Sequence, residues 1–241
     1  MIKIAELLID EGKKRCLNMN WYEEDSVRRL YHGSKEGIKG KITTKIGNRH
    51  CDFGEGFYLT DTKKSAYKLV CQRNNPVVYE FELDIKTISN KKILNKDINW
   101  LMIIAAFRNK LDDKIIREKI ISRINSYDLV IGNIADDRLF TTLDWFFDNI
   151  YSCEVAIELL NTIDFGLQYV LKSDESLKQL NHITANSIFS KELLAFREIR
   201  TSEKMSIKER MDEIRSNHRK SGVIETYYSD LKECDYNAEL I

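Results

Sequence analysis

Two short motifs in the first quarter of the chain carry residue types suited to holding a flat, polar ligand. Leu30-Tyr31-His32-Gly33-Ser34 is followed, after a polar gap, by Asp52-Phe53-Gly54-Glu55-Gly56-Phe57-Tyr58-Leu59-Thr60-Asp61. Together they set one histidine and one tyrosine at the ends of two strand-like runs, with glycines beside both. Glycine at such places lets the backbone come close to a ligand. Taken singly, His32 at a strand end and Tyr58 before a turn fit structural roles. Their joint occurrence inside both motifs is what points to a nucleotide site.

The elements that must position these residues can be read from periodicity. Residues 3–16 read as a short amphipathic helix. Arg29 to Gly33 reads as a strand ending at a glycine, and Gly56 to Thr60 as a second one. Thr60 or Asp61 is placed to cap a following helix with Ala66, Leu69 and Val70 on one face. Val77 to Asp84 (VVYEFELD) alternates apolar and polar residues and is the clearest strand of the chain. Ile98 to Asn125 reads as two helices broken near Asp112, and Tyr127 to Gly132 (YDLVIG) as a buried strand leading into Ala135-Asp136-Asp137-Arg138. Helices are expected around 141–149 and 153–161, then a strand over Leu167 to Leu171, with Ser173-Asp174 capping the next helix. Beyond about residue 183 the chain reads as helix, with Ser206-Ile207-Lys208-Glu209 matching a capping box and Gly222 a natural stop. Strands and helices are mingled without regular βαβ spacing, which favours an α+β fold. No G-x-G-x-x-G opens a helix after a strand, so a Rossmann dinucleotide site has no support.

The chain of 241 residues is long enough to bury a substantial core, and its 38 basic residues balance 38 acidic ones. That balance supplies no global field toward nucleic acid or an anionic membrane. The five cysteines (Cys16, Cys51, Cys71, Cys153, Cys234) are odd in number, scattered and without a C-x-x-C pair. They fit reduced thiols in a cytoplasmic setting better than a disulfide framework. The apolar start (Ile2, Ile4, Ala5, Leu7, Leu8, Ile9) is interrupted by Asp10 and Glu11, too early for a signal-peptide core or a membrane span. A soluble intracellular protein is the expectation.

YHGS followed by FGEGFYLTD resembles the first two signature motifs of the ADP-ribosyltransferase superfamily. The resemblance is to its His-Tyr-Glu branch, which includes diphtheria-like toxins and poly-ADP-ribose polymerases. The wider run (LYHGS, DFGEGFYLTD, VYEFELD, YDLVIGNIADDR) is also similar to a bacterial family assigned to that superfamily and associated with toxin-like roles. The resemblance covers roughly residues 28–182. It implies an α+β fold with an ADP-ribosyltransferase-like split β-sandwich core over 28–182, two small sheets forming a cleft. Helical extensions would occupy 1–27 and 183–241.

By that resemblance NAD is the substrate and no metal takes part. His32 would hydrogen-bond the ribose and hold the nicotinamide end, and Gly33 would present its backbone to the carboxamide, with Ser34 beside it. Tyr58 would stack on the nicotinamide ring. Gly54 and Gly56 would let their loop close over the dinucleotide, with 65–72 as the helix behind it. Breaking the bond between ribose and nicotinamide creates an oxocarbenium-like sugar, as in glycoside hydrolysis. Catalysis then rests on fixed geometry and on oxygens aimed where positive charge develops.

The family's third residue, a glutamate opening a late strand, is matched here by Gln168 in Gly166-Leu167-Gln168-Tyr169-Val170. Glutamine can hold a ribose hydroxyl through its carbonyl oxygen but carries no charge and cannot act as a base. Three outcomes are compatible with it: a transferase whose acceptor is activated otherwise, a slow enzyme, or an inactive binder. Asp136 and Asp137 could supply a carboxylate, and Arg138 could neutralise the pyrophosphate; equally, the three form a turn with a local salt bridge. The functional expectation is an NAD-dependent ADP-ribosyltransferase, a bacterial toxin or defence effector acting on a protein or nucleic-acid acceptor, with an antitoxin or immunity partner. The alternatives are an NAD glycohydrolase and a non-catalytic module binding NAD, ADP-ribose or a partner.

Other candidates carry less. His50-Cys51 with distant Cys71 lacks metal-ligand spacing, and adjacent strand residues point to opposite faces, which excludes His50 and Cys51 as a nucleophile pair. Residues 204–220 carry both charge signs, as a solvated helix face does, with Arg215, His218, Arg219 and Lys220 as a small basic cluster. Trp145-Phe146-Phe147 reads as core, or as a partner patch if exposed.

Overall fold

The computed structural model describes residues 26–46, 51–73, 75–135, 140–162, 166–187, 190–221 and 225–233. The expected helix at 3–16, the segment Asp136-Asp137-Arg138, His50 and Gly222 lie outside the described residues.

Among the described residues seven strands form one open sheet: β1 (Val27–Ser34), β2 (Phe57–Thr60), β3 (Val77–Asp84), β4 (Lys91–Ile93), β5 (Leu129–Asn133), β6 (Leu167–Leu171) and β7 (Leu180–Ser187), in the order β4-β5-β6-β2-β1-β3-β7. Among the described strands β4 and β5 run parallel and the other pairs are antiparallel. The helices are α1 (Lys63–Val70), α2 (Ile98–Phe107), α3 (Lys114–Asn125), α4 (Phe140–Phe147), α5 (Cys153–Thr162), α6 (Asp174–Lys178), α7 (Ser190–Ser221) and α8 (Tyr228–Glu233). The α+β expectation holds. The expected two small sheets are instead a single sheet, because β1 and β2 are joined, though by one register pair only, Tyr31 with Thr60. On its other side β1 pairs with β3 along its whole length, from Val27 with Asp84 to Ser34 with Val77. From His32 to Ser34 β1 has no ladder partner on the β2 side.

Strand alternation sorts the core into layers. Leu30, Phe57, Leu59, Phe81, Leu83, Leu129, Ile131, Tyr169 and Leu171 form one buried cluster on one face of the sheet. On the other face α2 packs over Val130 and Val170, and it can do so on every side: INWLMIIAAF is apolar all round, and Trp100 to Phe107 are all buried. Ala66 and Val70 of α1 pack against Val78 of β3 and Leu193 of α7.

Local chemistry sets the element ends. Asp97 and Asp113 cap α2 and α3, each accepting two backbone N–H bonds. Ser173 caps α6 in a reciprocal box with Ser176. Asn109 and Asn149 take positive φ just past α2 and α4, where the chain must turn sharply out of a helix.

Four local expectations are corrected. The cap of α1 is Thr62, whose hydroxyl accepts from the Ser65 N–H, not Thr60 or Asp61. Thr60 is drawn away, since its hydroxyl donates to the Thr62 carbonyl. Leu69 is 49% exposed, not on the buried face. Residues 183–187, expected to be helical, complete β7. Its sequence LNHITANS lacks apolar alternation because it is an edge strand with a single partner, β3. Ser206 begins no helix; it falls inside the continuous α7.

Candidate active site at the junction of β1 and β2

The site is built where β1 and β2 part. Tyr31, Thr60 and Gln168 lie on one line across β1, β2 and β6, and Gln168 also pairs with Gly132 of β5. One residue beyond that line, the His32 side chain bridges the gap: its Nδ1 sits 2.7 Å from the Tyr58 carbonyl oxygen. A carbonyl only accepts, so Nδ1 carries the hydrogen and Nε2 is left as an acceptor. The ring stacks on Phe57 at 4.5 Å between centroids. Burial lowers the His32 pKa below the ordinary 6.5, against the opposing pull of the Tyr58 carbonyl, so the imidazole is neutral at physiological pH.

His32 therefore lies on the Phe57 side of the sheet. Tyr58 and Gln168 alternate to the other side, where Tyr58 packs against the α2 layer.

Tyr58 is anchored by its hydroxyl, which donates to the Gly54 carbonyl at 2.7 Å and accepts from the Phe53 N–H at 3.1 Å. Burial pushes this phenol well above the ordinary tyrosine value, with Cys51 and Asp52 adding to the shift, so it remains a neutral donor. The ring plane is thereby fixed by the loop that precedes it.

That loop, residues 51–56, is tied down at nearly every position. The Phe53 side chain is wholly buried. A Cβ on Gly54 would come within 2.4 Å of the Phe107 ring, and Gly54 itself has φ +75°. A Cβ on Gly56 would meet Val170 Cγ1 at 2.4 Å. Gly33 is equally constrained, with the Ala66 carbonyl 2.7 Å from where its Cβ would be. All three glycines serve close packing in this structure. Ser34, the last residue of β1, pairs with Val77.

The residues that sequence reasoning missed are Asp52, Arg108 and Lys172. Arg108, the residue after α2, donates through Nη2 to Asp52 Oδ1 and to the Ala135 carbonyl. Asp52 Oδ2 accepts from the Ala135 N–H at 3.1 Å and from Gln168 Nε2 at 2.9 Å. Gln168 Nε2 also donates to the Asn133 carbonyl at 3.0 Å. Asp52 opens the second motif, but nothing in its spacing pairs it with an arginine 56 residues away. The available signal was a carboxylate opening a Gly-rich loop.

Lys172, directly after β6, donates to the Phe53 and Glu55 carbonyls from the far side of the loop. Burial pushes its pKa down to about 8, with Glu55 pulling the other way. The unfolded chain holds this proton to about pH 10.4. The folded state's burial penalty is thus complete below pH 8 and relieved as pH rises from there toward 10. The wild type is expected to gain stability relative to Lys172→Met across that window, read from urea midpoints of both proteins at pH 7 and pH 10. Equal pH slopes would refute it.

A cavity of about 540 Å³ opens beside the loop, lined by Gly54, Glu55, Phe107, Asn109, Arg117 and Lys172 among others, and by none of His32, Tyr58 or Gln168. Among the described residues no group of three or more His, Cys, Asp or Glu side chains could hold a metal, and no helix is long and apolar enough to cross a membrane. Two residues of the expected basic cluster are engaged internally: Arg215 lies over the Trp145 and Tyr151 rings, and His218 pairs with Glu158, while Lys220 is exposed. Phe146 and Phe147 are core, with Trp145 half-buried beside them.

The fold and site define an α+β protein built on one mixed sheet joined at a single pair between β1 and β2, with a polar cluster of Asp52, Arg108 and Gln168 beside β6. The chain belongs to the family described as protein of unknown function DUF3990, which matches residues 28–182. A chain of the crystal structure of the M. tuberculosis MbcT–MbcA toxin–antitoxin complex is similar at 8% identity and a TM-score of 0.37, over 73% of this chain and 90% of that one. No curated protein matches.

Proposed function

We propose that this protein is an NAD-dependent ADP-ribosyltransferase that cleaves the bond between nicotinamide and ribose and transfers ADP-ribose to a macromolecular acceptor. The observation that carries the reading is the one-pair junction of β1 and β2. Beside it the accepting Nε2 of His32 lies on one face of the sheet, and the anchored Tyr58 ring and Gln168 of the neighbouring β6 alternate to the other face. In that role Nε2 accepts a ribose hydroxyl, the Tyr58 ring orients nicotinamide, and Gln168 Oε1 faces the ribose. The C1′–N bond breaks with its electron pair going to the nicotinamide ring nitrogen, which leaves neutral. The acceptor's nucleophile then bonds C1′ and releases its proton to solvent.

The resemblance of the two motifs to the His-Tyr-Glu branch supports the same reading and extends it to a toxin or defence effector held by an antitoxin or immunity partner. Hydrolysis of NAD, with water as acceptor, uses the same site, and Gln168 keeps that reading and the non-catalytic binder in view.

The test is nicotinamide release from NAD by the purified chain, with and without cell lysate as a source of acceptor. Release that depends on lysate is the expected result. His32→Ala and Tyr58→Ala should each lower it about 100-fold, the scale of losing a positioning contact. Release without lysate marks a glycohydrolase. No release while NAD still raises the melting temperature marks a binder, and neither release nor binding refutes the site.

A pH consequence follows for His32. Protonation converts Nε2 from acceptor to donor, and burial delays it to more acidic pH than for an ordinary histidine. NAD affinity should stay level through pH 6.5 and fall only below it, and His32→Ala should lack that acid limb. Isothermal titration across the range checks it; an affinity that halves at the ordinary histidine value would contradict the burial-lowered pKa.

A further inference from the structure

We infer that Asp52 is the positioning residue that orients Gln168 toward the ribose. The inference rests on the reading of the site given above. An amide side chain has two ends of similar shape and opposite polarity, so its neighbours decide which end faces the ligand. For Gln168 that decision is complete. One Nε2 hydrogen goes to Asp52 Oδ2 at 2.9 Å and the other to the Asn133 carbonyl at 3.0 Å. Both partners only accept, so a flipped amide would set its oxygen against two oxygens. Oε1 is turned away from both and accepts no hydrogen bond from the described residues.

Asp52 is itself held on every side. Oδ1 takes the Arg108 guanidinium, Oδ2 takes the Ala135 N–H, and the residue is 7% exposed. With both oxygens engaged it orients its neighbour. The charged and titratable groups around it are Arg108 from the end of α2, Cys51 in its own loop, Tyr58 from β2, and Lys172 from the end of β6.

The consequence is chemical. Where the resembled branch has a carboxylate, this chain has an amide oxygen with the carboxylate one hydrogen bond behind it. A carboxylate accepting from Nε2 polarises the amide and enriches Oε1, the atom facing the sugar on which positive charge develops.

Moving the charge along that hydrogen bond tests the arrangement. Four full-length proteins are compared: wild type, Asp52→Asn, Gln168→Glu, and the double variant. Nicotinamide release is followed as kcat and KM for NAD between about pH 5.5 and 8.5, the range over which a raised carboxyl titrates. Urea midpoints are taken on the same samples. Asp52→Asn should raise KM about 10- to 100-fold, the usual effect of losing a partner that orients a ligating group. Gln168→Glu should lose a similar factor at neutral pH and regain rate as pH falls, because the introduced carboxyl faces Asp52 and must take up a proton. The double variant should recover to within about tenfold of wild type, with a flat profile, since one negative charge again serves the pair. A merely structural Asp52 would leave the double variant as impaired as the two single losses combined.

A folded Asp52→Asn protein with wild-type KM overturns the proposal, as does a double variant that shows only additive loss. If Asp52→Asn fails to fold, Gln168→Glu keeps the Asp52–Arg108 pair intact and its pH profile decides: a flat one overturns the proposal. A wild-type chain that neither binds nor cleaves NAD overturns the ribose assignment while leaving the orienting contact to the urea midpoints. There, additive losses overturn the contact as well, and a double variant more stable than the sum of the singles predicts upholds it.

Discussion

Arg108→Met is expected to lower the unfolding free energy by about 3–5 kcal/mol, the loss that follows when one member of a buried ion pair is removed and the other stays. The side chains of Arg108 and Asp52 are 12% and 10% exposed, so water cannot replace the missing guanidinium. Two layers feel the loss at once. Arg108 ties the end of α2 to the loop before β2, and through Asp52 to Gln168 and the Ala135 N–H. Adding Asp52→Asn in the same background removes the stranded charge and should return part of the stability. Urea denaturation of the three proteins reads both effects. A loss under about 1 kcal/mol for Arg108→Met would mean that the pair is solvated like a surface bridge.

Gly54→Ala should cost about 2–5 kcal/mol by two separable routes. A φ of +75° is a conformation that an alanine adopts at about 1–2 kcal/mol. Its Cβ would also press on the Phe107 ring at 2.4 Å, and overpacking of a core contact adds about 1–3 kcal/mol. Phe107→Leu in the Gly54→Ala background should relieve the second route and leave the first. Wild-type stability for Gly54→Ala would show that the loop shifts freely, which its hydrogen bonds to Tyr58 and Lys172 argue against.

The parts of this molecule legible in its sequence are those where one local rule acts alone. VVYEFELD alternates because Phe81 and Leu83 face the buried cluster while Glu80 and Glu82 fall on the other side, and Asp113 caps α3 because the break near Asp112 leaves the first amides of that helix without partners. The parts that were not legible are set by partners far along the chain. β4 is three residues, two of them lysines, and is a strand only because Leu129 to Ile131 lies beside it. β7 is polar because an edge needs no apolar alternation. At the site, His32, Tyr58 and Gln168 were visible as motif positions. Asp52 opens its motif, but its role depends on Arg108 and Gln168, which sequence spacing cannot bring together. The glycines were legible as required but not as to why: they make room for Phe107, Val170 and the Ala66 carbonyl.

The long helix α7 has a further consequence. Near its start Leu193 packs with Ala66 and Val70, and Arg197 donates to the Cys71 carbonyl. Near its end Met211 and Ile214 pack with Val155 and Leu159, and His218 reaches Glu158. One end thus grips the helix laid on β1 and β3, the other a helix on the side of β2, β5 and β6. At about 1.5 Å per residue the helix is a beam on the order of 50 Å long. The sheet beneath it is stitched at a single pair, so the beam is the splint across the seam. In a chain ending at residue 189 each half would keep its own ladder while relative motion between the halves grew. Amide hydrogen exchange should then quicken first at Tyr31, His32 and Thr60, leaving the protection within β3 and β6 unchanged.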